Sequence, residues 1–188
     1  MVGRSNDGVI ISDGARMNAD KILESVPLIR EWIDSTLVAH AASARSVDSL
    51  RFTKLAKYFP LNLLQSAHVV AVTNVPMPPL SKMGLDAFRE FEEGTYGGVT
   101  YGSTYFVKTD LLINEPLHFH ELIHVIQWQY LGWDQFIQAY AQGLLEFGYF
   151  DSPLERMARG HQQRFESGSS PYDVQGDVCR ELGAKYNR

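Results

Sequence analysis

The stretch from Asn114 to Trp133 constrains this chain more than any other: Asn-Glu-Pro-Leu-His-Phe-His-Glu-Leu-Ile-His-Val-Ile-Gln-Trp-Gln-Tyr-Leu-Gly-Trp. It reads as a helix. Asn114 can cap, Glu115 suits the positive end of the dipole, Pro116 is tolerated in the first turn, and Gly132 ends the run. Inside it, His120-Glu121-Leu122-Ile123-His124 spells H-E-x-x-H. At about 100° per residue the two histidines project within about 40° of each other and one turn apart, so both imidazoles can reach one tetrahedral metal ion. Glu121 projects beside them and can reach a water on that ion without being a ligand, which is the position of a general base. Phe119, Ile123, Ile126 and Tyr130 recur at helical spacing and predict a buried face behind the histidines. The competing reading is a buried amphipathic helix whose histidines are only hydrogen-bonded.

Two histidines do not hold a catalytic metal firmly; such sites usually take three protein ligands and leave one position open. The longer pattern H-E-x-x-H-x-x-G-x-x-H is excluded, because position 127 is Gln and position 130 is Tyr. A carboxylate from a following helix is the alternative. Glu155 stands just inside a helix opened by Ser152 and Pro153, and a His, His, Glu set with one open position results. The same Ser152-Pro153-Leu154-Glu155 is also a capping box, in which Glu155 would fold back onto the Ser152 N–H. The ligand role is favoured, with Asp151 as runner-up. Glu146 reads as solvated, His161 as a ligand or a donor to one, and Cys179 as a distant option. His118 points roughly 160° from His120 and reads as structural. His40, without motif partners, stays outside the site.

The rest of the chain predicts an α+β fold in one domain of 188 residues: a mainly helical lobe over 1–66, strands over 67–113, metal-site helices over 114–168 and a tail over 169–188. A content of 45% hydrophobic residues is ample for a packed core. Val9-Ile10-Ile11 suggests a strand. Ile22, Val26, Ile29, Ile33 and Leu37 form a helical stripe ending near Ala42, with Pro27 either kinking it or opening a helix capped by Ser25. A second helix is expected from Val47 to Phe59, stopped by Pro60. His68 to Thr73 is β-branched and short, followed by the stiff run Pro76-Met77-Pro78-Pro79. A short amphipathic helix is expected from Leu85 to Phe91. Val99-Thr100-Tyr101 and Thr104 to Thr109 read as a hairpin across Gly102-Ser103. The strand from Thr104 to Ile113 is the candidate to hold an extended peptide by main-chain pairing, the alternative being an ordinary internal strand. Beyond the motif, a helix from Asp134 to Phe147 is stopped by Gly148, and a short helix passes through Val178 and Leu182.

A net charge of −5 and a pI near 5.6, without a long basic run, argue against nucleic-acid binding. No apolar run approaches the roughly 20 residues that span a bilayer. The single Cys179 and an N-terminal stretch without a signal-peptide core favour a cytoplasmic setting, with signal-independent export open.

His120, Glu121 and His124, Glu155 inside Pro-Leu-Glu-Arg-Met-Ala, and the strand-then-helix order before them together resemble the zincin metallopeptidases, in the branch with a downstream glutamate called gluzincins. His-Glu-Leu-Ile-His-Val-Ile-Gln is also similar to the core of small, mostly uncharacterised bacterial HExxH domains, some attached to toxins or effectors. The likeness covers about residues 95 to 165. It implies a zincin-like fold, with N-terminal helices, a small, mostly antiparallel sheet, then the motif helix and C-terminal helices. It implies Zn2+ held by His120, His124 and Glu155, Glu121 as base, and a peptide or protein substrate. A further Tyr or His should stabilise the oxyanion, the candidates being Tyr149, Tyr140 and His161. The other function class is a non-catalytic zinc domain that binds a partner or acts as an effector module.

Overall fold

The computed structural model describes residues 13–186, with side chains from residue 20 on; the strand expected around Val9-Ile10-Ile11 lies outside the described residues. The chain enters α1 (Asp13–His40), one helix that runs through Pro27. Ser25 does not open a new helix there, since its hydroxyl donates back to the Lys21 carbonyl at 2.8 Å. Ile22, Val26, Ile29 and Ile33 are buried along the predicted stripe.

The helix expected from Val47 to Phe59 does not form. After the two-residue β1 (Arg45–Ser46) come 3-10 turns at Val47–Leu50 and Leu55–Lys57, with Arg51 in the left-handed region at φ 56°. A continuous helix would have spent the Leu55 N–H internally; instead it donates to the Glu115 carboxylate at 2.7 Å. Tertiary pairing with the motif helix therefore overrides local pattern, and regular helix appears only after Pro60, in α2 (Leu61–Ser66).

β2 (His68–Val72) leads through the proline run to 3-10 turns at Leu80–Met83 and Asp86–Phe88 and then to α3 (Arg89–Glu92). The helix expected from Leu85 to Phe91 is thus split, with Leu85 and Phe88 buried. β3 (Gly98–Tyr101) and β4 (Thr104–Lys108) make the expected hairpin.

The sheet order is β1-β2-β4-β3. It is mixed rather than mostly antiparallel: β1–β2 and β4–β3 are antiparallel, but the longest register, His68↔Thr104 to Val72↔Lys108, is parallel. The long excursion between β2 and β4 supplies the crossover that a parallel pair needs. β4 is consequently central, which is why Tyr105, Phe106 and Val107 are fully buried. The strand proposed from Thr104 to Ile113 as a peptide ledge is therefore internal, and its second half is a 3-10 turn at Thr109–Leu111. The edge strands are β1 and β3, and β3 is the one beside the motif helix.

Four helices follow: α4 (Glu115–Leu131), α5 (Trp133–Asp151), α6 (Pro153–Glu166) and α7 (Val174–Tyr186). Every residue of α4 from His118 to Trp128 is buried, because α5, α6, α7 and β3 all pack on it. Its far face carries Phe119, stacked on Phe165 at 4.5 Å and edge-on to Tyr58. The molecule is α+β, with seven α-helices and four strands among the described residues. No helix among them is long and apolar enough to cross a membrane.

Candidate metal centre

The Asn114 side chain accepts the Leu117 N–H at 3.1 Å, fixing where α4 starts and so which side His120, Glu121 and His124 present. Both histidines are buried and their Nε2 atoms lie 3.0 Å apart. Glu155 comes from the first turn of α6. Its Oε1 is 3.2 Å from His124 Nε2 and its Oε2 is 3.5 Å from His120 Nε2. Donors held about 2.0–2.1 Å from a tetrahedral ion stand roughly 3.3 Å apart, and the three separations bracket that value. This buried group could hold a metal ion.

The route that delivers Glu155 is local. Gly148, at φ 71°, breaks α5 where only glycine is comfortable, Ser152 is extended, and Pro153 starts α6 at its first position. Ser152 makes no side-chain cap bond, so the capping box does not form. The Glu155 oxygens are used otherwise. Tyr140 Oη donates to Oε1 at 2.7 Å and Arg159 Nη1 to Oε2 at 3.1 Å. Arg159 is also tied to the Tyr149 and Phe150 carbonyls, so it joins the end of α5 to the carboxylate.

Behind the histidines stand two glutamines. Gln127 donates its amide to the Leu154 carbonyl at 3.0 Å, which turns its oxygen to His124 Nδ1 at 2.8 Å. Gln162 donates to Glu166 at 3.0 Å and turns its oxygen to His120 Nδ1 at 3.1 Å. Both Nδ1 atoms are therefore the protonated ones, and both Nε2 atoms direct a lone pair at the same point. Two lone pairs facing at 3.0 Å require a positive charge between them, either a proton or a metal ion. Burial opposes a charge on His124, but Glu155 beside it outweighs that and pushes its pKa up to about 9. Burial likewise favours a neutral Glu155, and the two histidines outweigh it, holding the carboxyl well below its ordinary range.

Glu121 stands next to this group without joining it. Its Oε2 accepts from Thr100 Oγ1 at 2.6 Å, and Thr100 is held in turn by Trp128, whose indole N–H donates to its carbonyl at 3.1 Å. Its Oε1 lies against Gly98, where a Cβ would come within 2.5 Å. Burial pushes the Glu121 carboxyl up, against the histidines and Thr100.

A cavity of about 100 Å³ opens in front of these residues, walled by α1, the 77–91 segment, β3, α4 and α5. Tyr149 lines it, and burial together with Glu155 and Glu121 raises its phenol. His161 is not brought to the pocket: its Nδ1 meets Tyr172 Oη at 2.7 Å and its Nε2 meets Glu181 at 3.1 Å, between α6 and α7. Asp151 and Glu146 are exposed and stand outside the group, as does Cys179. Gln127 enters the sequence reading only as the end of the run His-Glu-Leu-Ile-His-Val-Ile-Gln, without a role, and Gln162, Thr100, Gly98 and Arg159 are not singled out as site residues. Gln127 three residues after His124 and Arg159 four after Glu155 are visible as helical neighbours; Thr100, Gly98 and Gln162 arrive only through tertiary packing.

Compared with known proteins, the chain matches no family model, no curated protein and no solved structure.

Proposed function

We propose that this protein is a zinc-dependent metallopeptidase of zincin type, with His120, His124 and Glu155 as ligands and Glu121 as general base. The observation that carries the proposal is the position of Glu121. A zinc that only braces the fold has no use for a buried carboxylate beside the ligands with one oxygen pinned and the other left over. A bound zinc ion would polarise a carbonyl and lower the pKa of water there toward about 7.

The residues divide the remaining work. Thr100 holds Oε2 of Glu121, so Oε1 takes the proton of the attacking water and returns it to the leaving amine. Burial, which raises the Glu121 pKa, makes it the better acceptor. Gln127 and Gln162 keep both Nε2 atoms aimed. Tyr149 is the transition-state donor in this scheme, because Thr100, Tyr96, Tyr101 and Tyr140 have committed their hydroxyls while Tyr149 makes no hydroxyl bond among the described residues. The edge strand β3 borders the pocket, and although its Thr100 carbonyl already accepts from Trp128, its outer edge is where an extended peptide would pair. His161 has no part in it.

The test is Glu121→Gln. The variant should keep its zinc and its melting temperature and lose at least about a thousandfold in peptide hydrolysis. Hydrolysis retained at the wild-type rate would overturn the assignment.

A further inference from the structure

The pocket beside the candidate metal centre is apolar to an unusual degree for a site built around two carboxylates. Apart from the ligands and Glu121, no Asp, Glu, Lys or Arg lines it. Its hydroxyls are already spent: Thr100 on Glu121, Tyr140 on Glu155, Tyr101 on the Pro76 carbonyl at 2.8 Å and Tyr96 on the Phe91 carbonyl at 3.1 Å. The exception, Tyr149, is assigned above to the reacting group. A polar or charged group entering here would lose its water and find nothing to replace it.

Apart from Trp128, the apolar walls come from outside the motif helix. Ile29 and Ile33 of α1 and Leu85 and Phe88 of the 3-10 segment close one side. The other side carries a column of stacked rings, Trp128 on Phe136 at 3.9 Å and 18°, and Phe136 on Tyr140 at 5.6 Å and 16°. Tyr140 is the residue that also holds Glu155, so the aromatic wall ends at the ligand set. Aromatic carbon on one side and aliphatic carbon on the other suit an apolar group, aromatic or branched.

We infer that this pocket receives a large apolar side chain of the substrate, of the phenylalanine or leucine kind, next to the bond held at the metal. The inference rests on the metallopeptidase reading and adds the substrate class. Specificity then resides in α1, the 77–91 segment and α5, while the motif helix supplies the chemistry.

The experiment uses zinc-loaded full-length protein and hydroxamic acids that share one metal-binding head and differ in the attached group: methyl, isobutyl, benzyl, carboxyethyl and aminopropyl. Zinc content is measured in the same samples. The isobutyl and benzyl compounds should bind at least about tenfold more tightly than the methyl compound, and the charged ones no better than methyl. Equal affinities, or a preference for a charged group, on zinc-loaded protein would overturn the inference and leave the metal site standing. A chain that takes up no zinc and binds no hydroxamate would overturn both, and the zinc assay tells the two failures apart. Ala141, half-buried on the α5 wall, gives the second arm: Ala141→Trp should keep its zinc and lose the benzyl advantage. A benzyl advantage that survives in that variant would count against the pocket. Should the variant not fold, the series on the native chain decides alone.

Discussion

Three histidines lie buried on α4, and they fall into two kinds. His118 is a closed unit: Nδ1 accepts from Tyr105 Oη at 2.7 Å, Nε2 donates to the Leu112 carbonyl at 2.9 Å, and Phe52 covers the ring at 4.8 Å. Both nitrogens are spent inside the protein, and burial lowers its pKa, so the ring is held neutral. His120 and His124 each spend only Nδ1, on a glutamine, and turn Nε2 toward each other and Glu155. Burial does not distinguish a ligand from a core histidine. What distinguishes them is a lone pair that the fold aims and leaves unused.

That contrast can be broken most directly by truncating one member of each kind. His124→Ala should take the protein from about one zinc per chain to none by elemental analysis, because two remaining ligands hold the ion poorly. His118→Ala should keep the zinc and lose on the order of 2–4 kcal/mol of stability in a denaturant titration, since it leaves a cavity and strands the Tyr105 hydroxyl and the Leu112 carbonyl. Equal zinc loss in both would mean that the two kinds are one.

A sharper version removes the aiming rather than the ligand. Gln127→Leu takes away the partner of His124 Nδ1 while filling nearly the same space, and zinc affinity should fall about 10- to 100-fold in a competition titration with a chelator. The matching change at Gln162, which is half-buried and more hydrated, should cost less. Thr100→Val tests the neighbouring carboxylate. Freed from its pin, Glu121 should lose about tenfold in kcat with zinc content and KM little changed. A Thr100→Val effect confined to KM would mean that the hydroxyl serves substrate binding instead.

Much of this was legible in residues alone because it is periodic. The i, i+4 pair, its acidic neighbour, the Asn114 cap, the Gly132 and Gly148 stops and the β3–β4 hairpin each follow from helical or alternating spacing within a short window. Glu155 was reachable because a Ser-Pro helix start announced a rigid carboxylate, though the capping box offered the same residue another use. What failed was decided at a distance. The helix expected at Val47 to Phe59 gave way to Glu115 taking the Leu55 N–H. Of the two readings of the strand from Thr104, the internal one holds, and nothing local to Thr104 says that β2 returns parallel beside it and makes it central. His161 reads as reactive in sequence and is spent on Tyr172 and Glu181 in the fold.

The smallest effect tests the two kinds of histidine through pH, where their signs are opposite. His118 has its pKa lowered by burial from 6.5, so its contribution to stability is present above 6.5 and lost as pH falls through the lowered value. His124 in the metal-free protein has its pKa raised from 6.5 to about 9, so its contribution is complete below 6.5 and lost as pH rises through 9. Glu155, held well below 4.5, contributes above 4.5 and fails only in acid. The metal-free ion pair is therefore complete between about 4.5 and 6.5 and fades toward 9. Zinc needs the nitrogen that carries this proton, so loading should displace close to one proton from His124 per ion near pH 7 and about half a proton near pH 9. The melting temperatures of the metal-free and zinc-loaded forms should accordingly diverge by a few degrees between pH 6.5 and about 9, the loaded form gaining as the free form declines. A gap that stays flat with pH would show that no proton occupies the space between His120 and His124, and the lone-pair argument for a cation there would lose its chief support.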